Sequence, residues 1–167
     1  MDFVKKVEFI ETGIKIDVGK LSFSGYLTDD DGNLKEKVKC YLGHYNIIIG
    51  DKVTIKNLHP IEYAGHKYHH MHIKGGIICW GEWEEKIIGL LNSFKYKELI
   101  YLVYAYLKSY NKDDCYCSFN RYYSQRKVEH LFDEDGKLLK KLKQGKLISK
   151  EIMVGARVRL RKKFKVL

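Results

Sequence analysis

Apolar and polar side chains alternate through most of the first sixty residues, and beyond residue 84 the period lengthens to that of a helix. Residues 7–12, 14–18 and 21–27 each alternate or nearly so, with Gly13 between the first two. Asp29-Asp30-Asp31-Gly32-Asn33 is a turn signal. Residues 38–45 and 53–56 continue the meander around a Gly50-Asp51 turn, and Pro60, the only proline, is expected to end the sheet and open a loop toward a histidine cluster. Between residues 95 and 110 the apolar positions Leu99, Leu102, Val103, Tyr106, Leu107 and Tyr110 form one amphipathic helical stripe, stopped by Asn111-Lys112-Asp113-Asp114. Shorter helices are expected over 84–91 and 119–131, a turn over 133–136, and strands over 152–154 and 158–160. A β-meander followed by helices, with no linker or low-complexity break, makes 1–167 a single α+β domain with an extra C-terminal basic β segment.

The chain of 167 residues can bury a core without disulfide or metal. No run reaches transmembrane length and residues 1–6 lack the apolar core of a signal peptide, so the expectation is a cytoplasmic protein whose four cysteines, 40, 79, 115 and 117, are thiols. The net charge of +10 is uneven: residues 137–167 hold twelve Lys or Arg against the single acid Glu151, and the rest of the chain sums to −1. Arg157, Arg159 and Arg161 would share one strand face, a candidate binding strip for nucleic acid or an acidic protein; a solvated basic face is the plainer alternative. Residues 120–127 mix aromatic and basic side chains, a composition suited to single-stranded nucleic acid and also common on helix surfaces.

The reactive side chains gather at His69-His70-Met71-His72-Ile73-Lys74-Gly75-Gly76-Ile77-Ile78-Cys79, three histidines and a cysteine within eleven residues. One reading is metal: His70 and His72 on a strand would face one way, and Cys79 would add a third zinc ligand. No Cys-x-x-Cys or second His pair supports it. Another reading is a nucleophile, with Cys79 at a strand end and His72 its cross-strand neighbour over the Gly75-Gly76 turn. A third is a small buried cysteine in an apolar strand, which the residues taken alone favour.

The order of these motifs resembles the core of ubiquitin-conjugating (E2, UBC-like) enzymes. His70-Met71-His72-Ile73 stands where that family has His-Pro-Asn-Ile, and Gly76-Ile77-Ile78-Cys79-Trp80 resembles its cysteine segment. Trp83, the 95–110 helix and the Asn111-Lys112-Asp113-Asp114 loop follow in the family's order. The resemblance covers roughly residues 38–120, departs at Met71 and His72, lacks the N-terminal helix and leaves 137–167 unmatched; it looks like a divergent bacterial or phage type. It implies a cysteine acyl carrier and transferase for a ubiquitin-like protein, served by an activating enzyme, with no cofactor. Cys79 would hold the thioester and His72 would steady the loop or the oxyanion. Asp113 or Asp114 would help deprotonate the attacking lysine, and Trp80 and Trp83 are candidate binding residues. The alternatives are a non-catalytic module of the same fold using its basic C-terminal region, and a zinc site at His70, His72 and Cys79.

Overall fold

The computed structural model describes residues 1–126. The expected turn at 133–136, the strands at 152–154 and 158–160, Arg157, Arg159, Arg161 and the end of the 119–131 helix lie outside the described residues. The remainder is an α+β arrangement of two antiparallel sheets followed by helices. The first sheet is a meander of β1 (Lys6–Ile10), β2 (Gly13–Thr28), β3 (Leu34–Ile49) and β4 (Val53–Asn57), in that order. The second is built from β5 (Ile61–Tyr63), β6 (His66–His70), β7 (Ile73–Lys74) and β8 (Ile77–Ile78). A 3-10 turn (Gly81–Trp83) leads into α1 (Glu84–Asn92), then α2 (Tyr96–Leu107) and α3 (Phe119–Arg126). No helix among the described residues is long and apolar enough to cross a membrane.

The segments 14–18 and 21–27 are one strand, not two. In β2 the inward positions run Ile16, Val18, Leu21 and Gly25; in β3 they run Val38, Cys40, Leu42, Tyr45, Ile47 and Ile49. Each strand therefore changes phase once. The pairing supplies the reason: the register shifts between Asp17 and Gly19, where β2 carries an extra residue, and shifts back between Leu21 and Ser22, where β3 carries one. A bulge inserts one residue and so returns the same face to the core. Gly19, at φ +71°, makes the first bulge without strain, and the Asp17 carboxylate accepts its N–H at 2.6 Å.

Pro60 does not open a loop. It precedes the second sheet, so the first two histidines of the cluster lie on β6 rather than beyond a strand. Helix α2 ends at Leu107, three residues short of the expected stop, and buries Leu99, Ile100, Val103, Tyr106 and Leu107; Leu102 and Tyr110 are only half-buried against that core. Helix α3 closes the inner face of the long ribbon. Asn120 clasps Thr28 at the end of β2 through both its amide oxygen and nitrogen (3.0 and 2.7 Å).

The two sheets are joined by polar groups. The Leu42 carbonyl of β3 accepts from Asn57 Nδ2 (2.7 Å), Arg126 Nη2 (2.8 Å) and Tyr122 Oη (2.9 Å). The His69 carbonyl of β6 accepts from Tyr45 Oη (2.6 Å) and Asn57 Nδ2 (2.9 Å). The Asn57 backbone N–H donates to His69 Nδ1 at 3.0 Å. Gly43, at φ +126°, leaves the space this needs, because a Cβ there would run into the Asn57 amide. Arg126 has no exposed surface; its guanidinium also donates to the His59 carbonyl and lies over the rings of Tyr122 and Tyr41, 5.3 and 5.6 Å from their centroids.

Tyr122 has one hydroxyl proton to give, and the Leu42 carbonyl keeps its other donors without it; the Asn57 side chain makes three bonds at once, to the Leu42 and His69 carbonyls through Nδ2 and from the His59 N–H (2.9 Å) through Oδ1. Tyr122→Phe is expected to cost about 1 kcal/mol and Asn57→Ala about 2–4 kcal/mol. Urea unfolding midpoints with unchanged m-values check the order; equal losses would remove Asn57 from the centre of the clamp.

Candidate functional site

The Gly75-Gly76 turn folds β7 and β8 into a hairpin. Ile73 faces Ile78 and Lys74 faces Ile77, and the pairing runs one step further, with Cys79 N–H donating to the His72 carbonyl at 2.9 Å. His72 and Cys79 are thus cross-strand neighbours. Cys79 is half-buried at the point where the strand gives way to the 3-10 turn, and its thiol is free. Tyr106 of α2 fixes this end by donating to the Cys79 carbonyl at 2.7 Å, and its ring lies 4.7 Å from that of Trp80.

His72 is held by a loop nearly forty residues away. The Asn111 backbone N–H donates to Nε2 at 3.1 Å, and Nδ1 lies 3.2 Å from the Asp114 carbonyl. An amide N–H can only donate, so Nε2 is unprotonated and the ring proton sits on Nδ1, given to Asp114. His72 is a neutral imidazole with both nitrogens occupied. Of its two expected roles, this geometry serves loop steadying and leaves no ring proton for an oxyanion.

The same argument orders His70. The His72 backbone N–H donates to His70 Nδ1 at 3.3 Å, so the proton is on Nε2, where no acceptor of hydrogen-bonding geometry lies among the described residues. The two imidazoles stack at 5.5 Å. Burial first, and then the neighbouring His72, push His70 down to about 3, against a weaker pull from the Leu107 carbonyl. Burial also lowers His72, which the Asp114 carbonyl partly offsets.

The loop after α2 folds back on the hairpin. Asn111 Nδ2 donates to Asp114 Oδ2 at 2.8 Å, and Asp113 N–H donates to Asn111 Oδ1 at 3.1 Å. Tyr116 and Cys117 both donate backbone N–H groups to the Met71 carbonyl (3.0 and 3.2 Å). Burial raises the Cys117 thiol to about 11, so it is a poor nucleophile.

These elements border a small, partly open cleft lined by His72, Cys79, Trp80, Gly81, Glu82, Trp83, Tyr106, Ser109, Asn111 and Asp114. Of the candidate residues, Cys79, His72, Trp80, Trp83 and Asp114 meet there; Asp113 belongs to the same loop but is exposed outside the lining. Tyr106, read from the sequence as part of an apolar stripe, and Asn111, read as part of the loop without a role of its own, join them. As for metal, His72 has spent both nitrogens on backbone groups and His70 has spent Nδ1. No group of three His, Cys, Asp or Glu side chains able to hold an ion forms among the described residues.

Comparisons with protein-family models, with curated proteins and with solved structures find no match for this chain.

The buried histidines make stability sensitive to acid. Their folded pKa values lie below the unfolded value of 6.5, so the unfolded chain binds more protons once the pH falls below that value. Their contribution is therefore complete above about pH 6.5 and is lost on the way down, by up to about 1.4 kcal/mol per pH unit for each histidine. Urea midpoints are expected to be flat from pH 8 to 7 and to fall between pH 6.5 and 5. His70→Gln should be less stable at pH 7 but show a shallower fall. An unchanged slope in that variant would show that His70 does not carry the effect.

Proposed function

We propose that the chain is an E2-like, UBC-fold acyl carrier in which Cys79 accepts the C-terminal carboxyl group of a ubiquitin-like protein as a thioester and passes it to an amine. What supports the reading is a convergence in space. The Asn111–Asp114 loop, which the motif order assigns to the active site, is more than thirty residues from Cys79 in the chain, yet Asn111 and Asp114 line the cleft into which Cys79 opens.

In the loading step the Cys79 thiolate attacks the carbonyl of an incoming thioester. The tetrahedral intermediate expels the donor thiolate, and the acyl group remains on Sγ. In the transfer step an amine attacks the same carbonyl, gives up a proton and displaces the Cys79 thiolate. Glu82 and Asp114 line the cleft, their carboxylates attract an incoming ammonium, and Asp114 takes its proton. Asn111 Nδ2 has a second N–H beyond the one given to Asp114 and is the better candidate for an oxyanion donor than His72. His72 is then a positioning residue, holding the loop that carries Asn111 and Asp114.

A glycine-terminated peptide thioester tests this without the cognate activating enzyme. The native protein and Cys115→Ala are expected to form an adduct that free thiols reverse, and Cys79→Ala to form none, as read by intact mass. Asp114→Asn should load normally and slow discharge to a free amine by roughly 10²–10⁴-fold. No adduct, or an adduct that maps equally to Cys115, overturns the assignment.

A further inference from the structure

The two bulges also determine what the ribbon shows to solvent. From the first bulge on, β2 turns Lys20, Ser22, Ser24 and Tyr26 outward, and β3 turns Lys37, Lys39 and Tyr41 outward; Ser22 pairs with Tyr41, Ser24 with Lys39 and Tyr26 with Lys37. The acids of this ribbon lie off that row: Asp29, Asp30 and Asp31 are in the turn at its tip, and Glu36 is close enough to Tyr123 of α3 to act on its ionisation. Asp17, just before the first bulge, has its Oδ1 engaged by His44 Nε2 at 2.7 Å and by the Gly19 N–H.

The face is not a uniform lysine lawn. The Lys37 ammonium lies 5.8 Å from the centroid of Tyr26, which keeps 48% of its surface. The Arg126 guanidinium backs the Tyr41 ring from the protein side. Lys20, Leu21, Ser22, Lys39 and Tyr41 border an open hollow in this surface. Cations alternate with hydroxyls and aromatic rings, and the lysines of β3 recur about every 7 Å, on the scale of one nucleotide of an extended strand.

We infer that the outer face of the β2–β3 ribbon binds single-stranded nucleic acid, with Lys37 and Lys39 on phosphates and Tyr26 and Tyr41 against bases. Positive charge alone would suit any polyanion; the exposed ring of Tyr26 and the half-buried ring of Tyr41 select a ligand whose units have flat faces to stack. An acidic polypeptide offers the charge but not those faces. A duplex offers phosphates but keeps its bases stacked on one another.

The experiment is fluorescence anisotropy with the full chain and a labelled oligothymidylate of twenty nucleotides, titrated with salt. Lys37→Ala with Lys39→Ala is expected to weaken binding tenfold or more. The slope of log Kobs against log salt should become shallower by about 1.4, two phosphates at about 0.7 each. Tyr26→Ala, at an exposed site where folding is not at stake, should weaken it by about tenfold. The paired change Lys86→Ala with Lys97→Ala on α1 and α2 removes the same charge and should leave affinity within twofold. The inference is overturned if the ribbon lysine pair binds as the native chain does, which would move binding elsewhere in the sequence. It is equally overturned if both lysine pairs lose affinity alike, if Tyr26→Ala has no effect, or if polyglutamate competes as well as the oligonucleotide does.

Discussion

Two backbone carbonyls, Leu42 on β3 and His69 on β6, hold the rest of the molecule in register. They belong to different sheets and are satisfied by one set of side chains, Asn57 from β4, Tyr45 from β3, and Tyr122 and Arg126 from α3. The hydrophobic effect brings the sheets and α3 together, but it is non-directional and fixes no register. The hydrogen bonds do, because each donor must reach a particular lone pair from inside the core. Arg126 shows how strong the constraint is. A guanidinium without exposed surface is costly unless it is hydrogen-bonded, and the bonds from its Nη2 to the Leu42 and His59 carbonyls form only when β3, the segment before Pro60 and α3 lie in one arrangement.

From this clamp the geometry propagates to the cysteine in a few covalent and hydrogen-bonded steps. His69 is fixed through its carbonyl and its ring; His70 follows into the core; its Nδ1 takes the His72 N–H; His72 binds the Asn111–Asp114 loop with both ring nitrogens and supports Cys79 with its carbonyl. The cleft is thus rigid on its hairpin side. The buried histidines that looked like ligands or catalysts are the struts of that rigidity, kept neutral by burial so that each ring offers one donor and one acceptor.

Much of this was legible in advance where side-chain period and chemistry agreed. The stripe at Leu99, Val103, Tyr106 and Leu107 gave α2, the Gly75-Gly76 turn gave the pairing of His72 with Cys79, and the acidic turn at 29–33 ended the first long strand. The phase changes after Val18 and after Leu42 broke the alternation and made one strand read as two. Pro60 was misleading because a proline ends one sheet and can equally begin another. The partners of His72, though not the expectation that it steadies the loop, were beyond sequence reasoning for a physical reason: they are the backbone N–H of Asn111 and the backbone carbonyl of Asp114, groups every residue carries and no side-chain pattern marks. Tyr106 was hidden differently, since its ring obeys the apolar stripe and only its hydroxyl, reaching Cys79, departs from it.

The paired bulges have a consequence for how this chain can change over time. Up to Asp17 and from Ser22 to Tyr26 the two long strands keep the same pairing offset; the window from Gly19 to Leu21 is displaced by one, and a separate shift follows at the tip between Tyr26 and Thr28. The extra residue on β2 is cancelled by the extra residue on β3. Losing either alone would slide the distal half of the ribbon by one position and bring its tip, with Thr28, out of reach of Asn120. Losing both would restore a regular ladder with the same faces inside. The strands are therefore coupled in length: a one-residue insertion or deletion in one is tolerated only with its counterpart in the other, and related chains should differ here by two residues or by none.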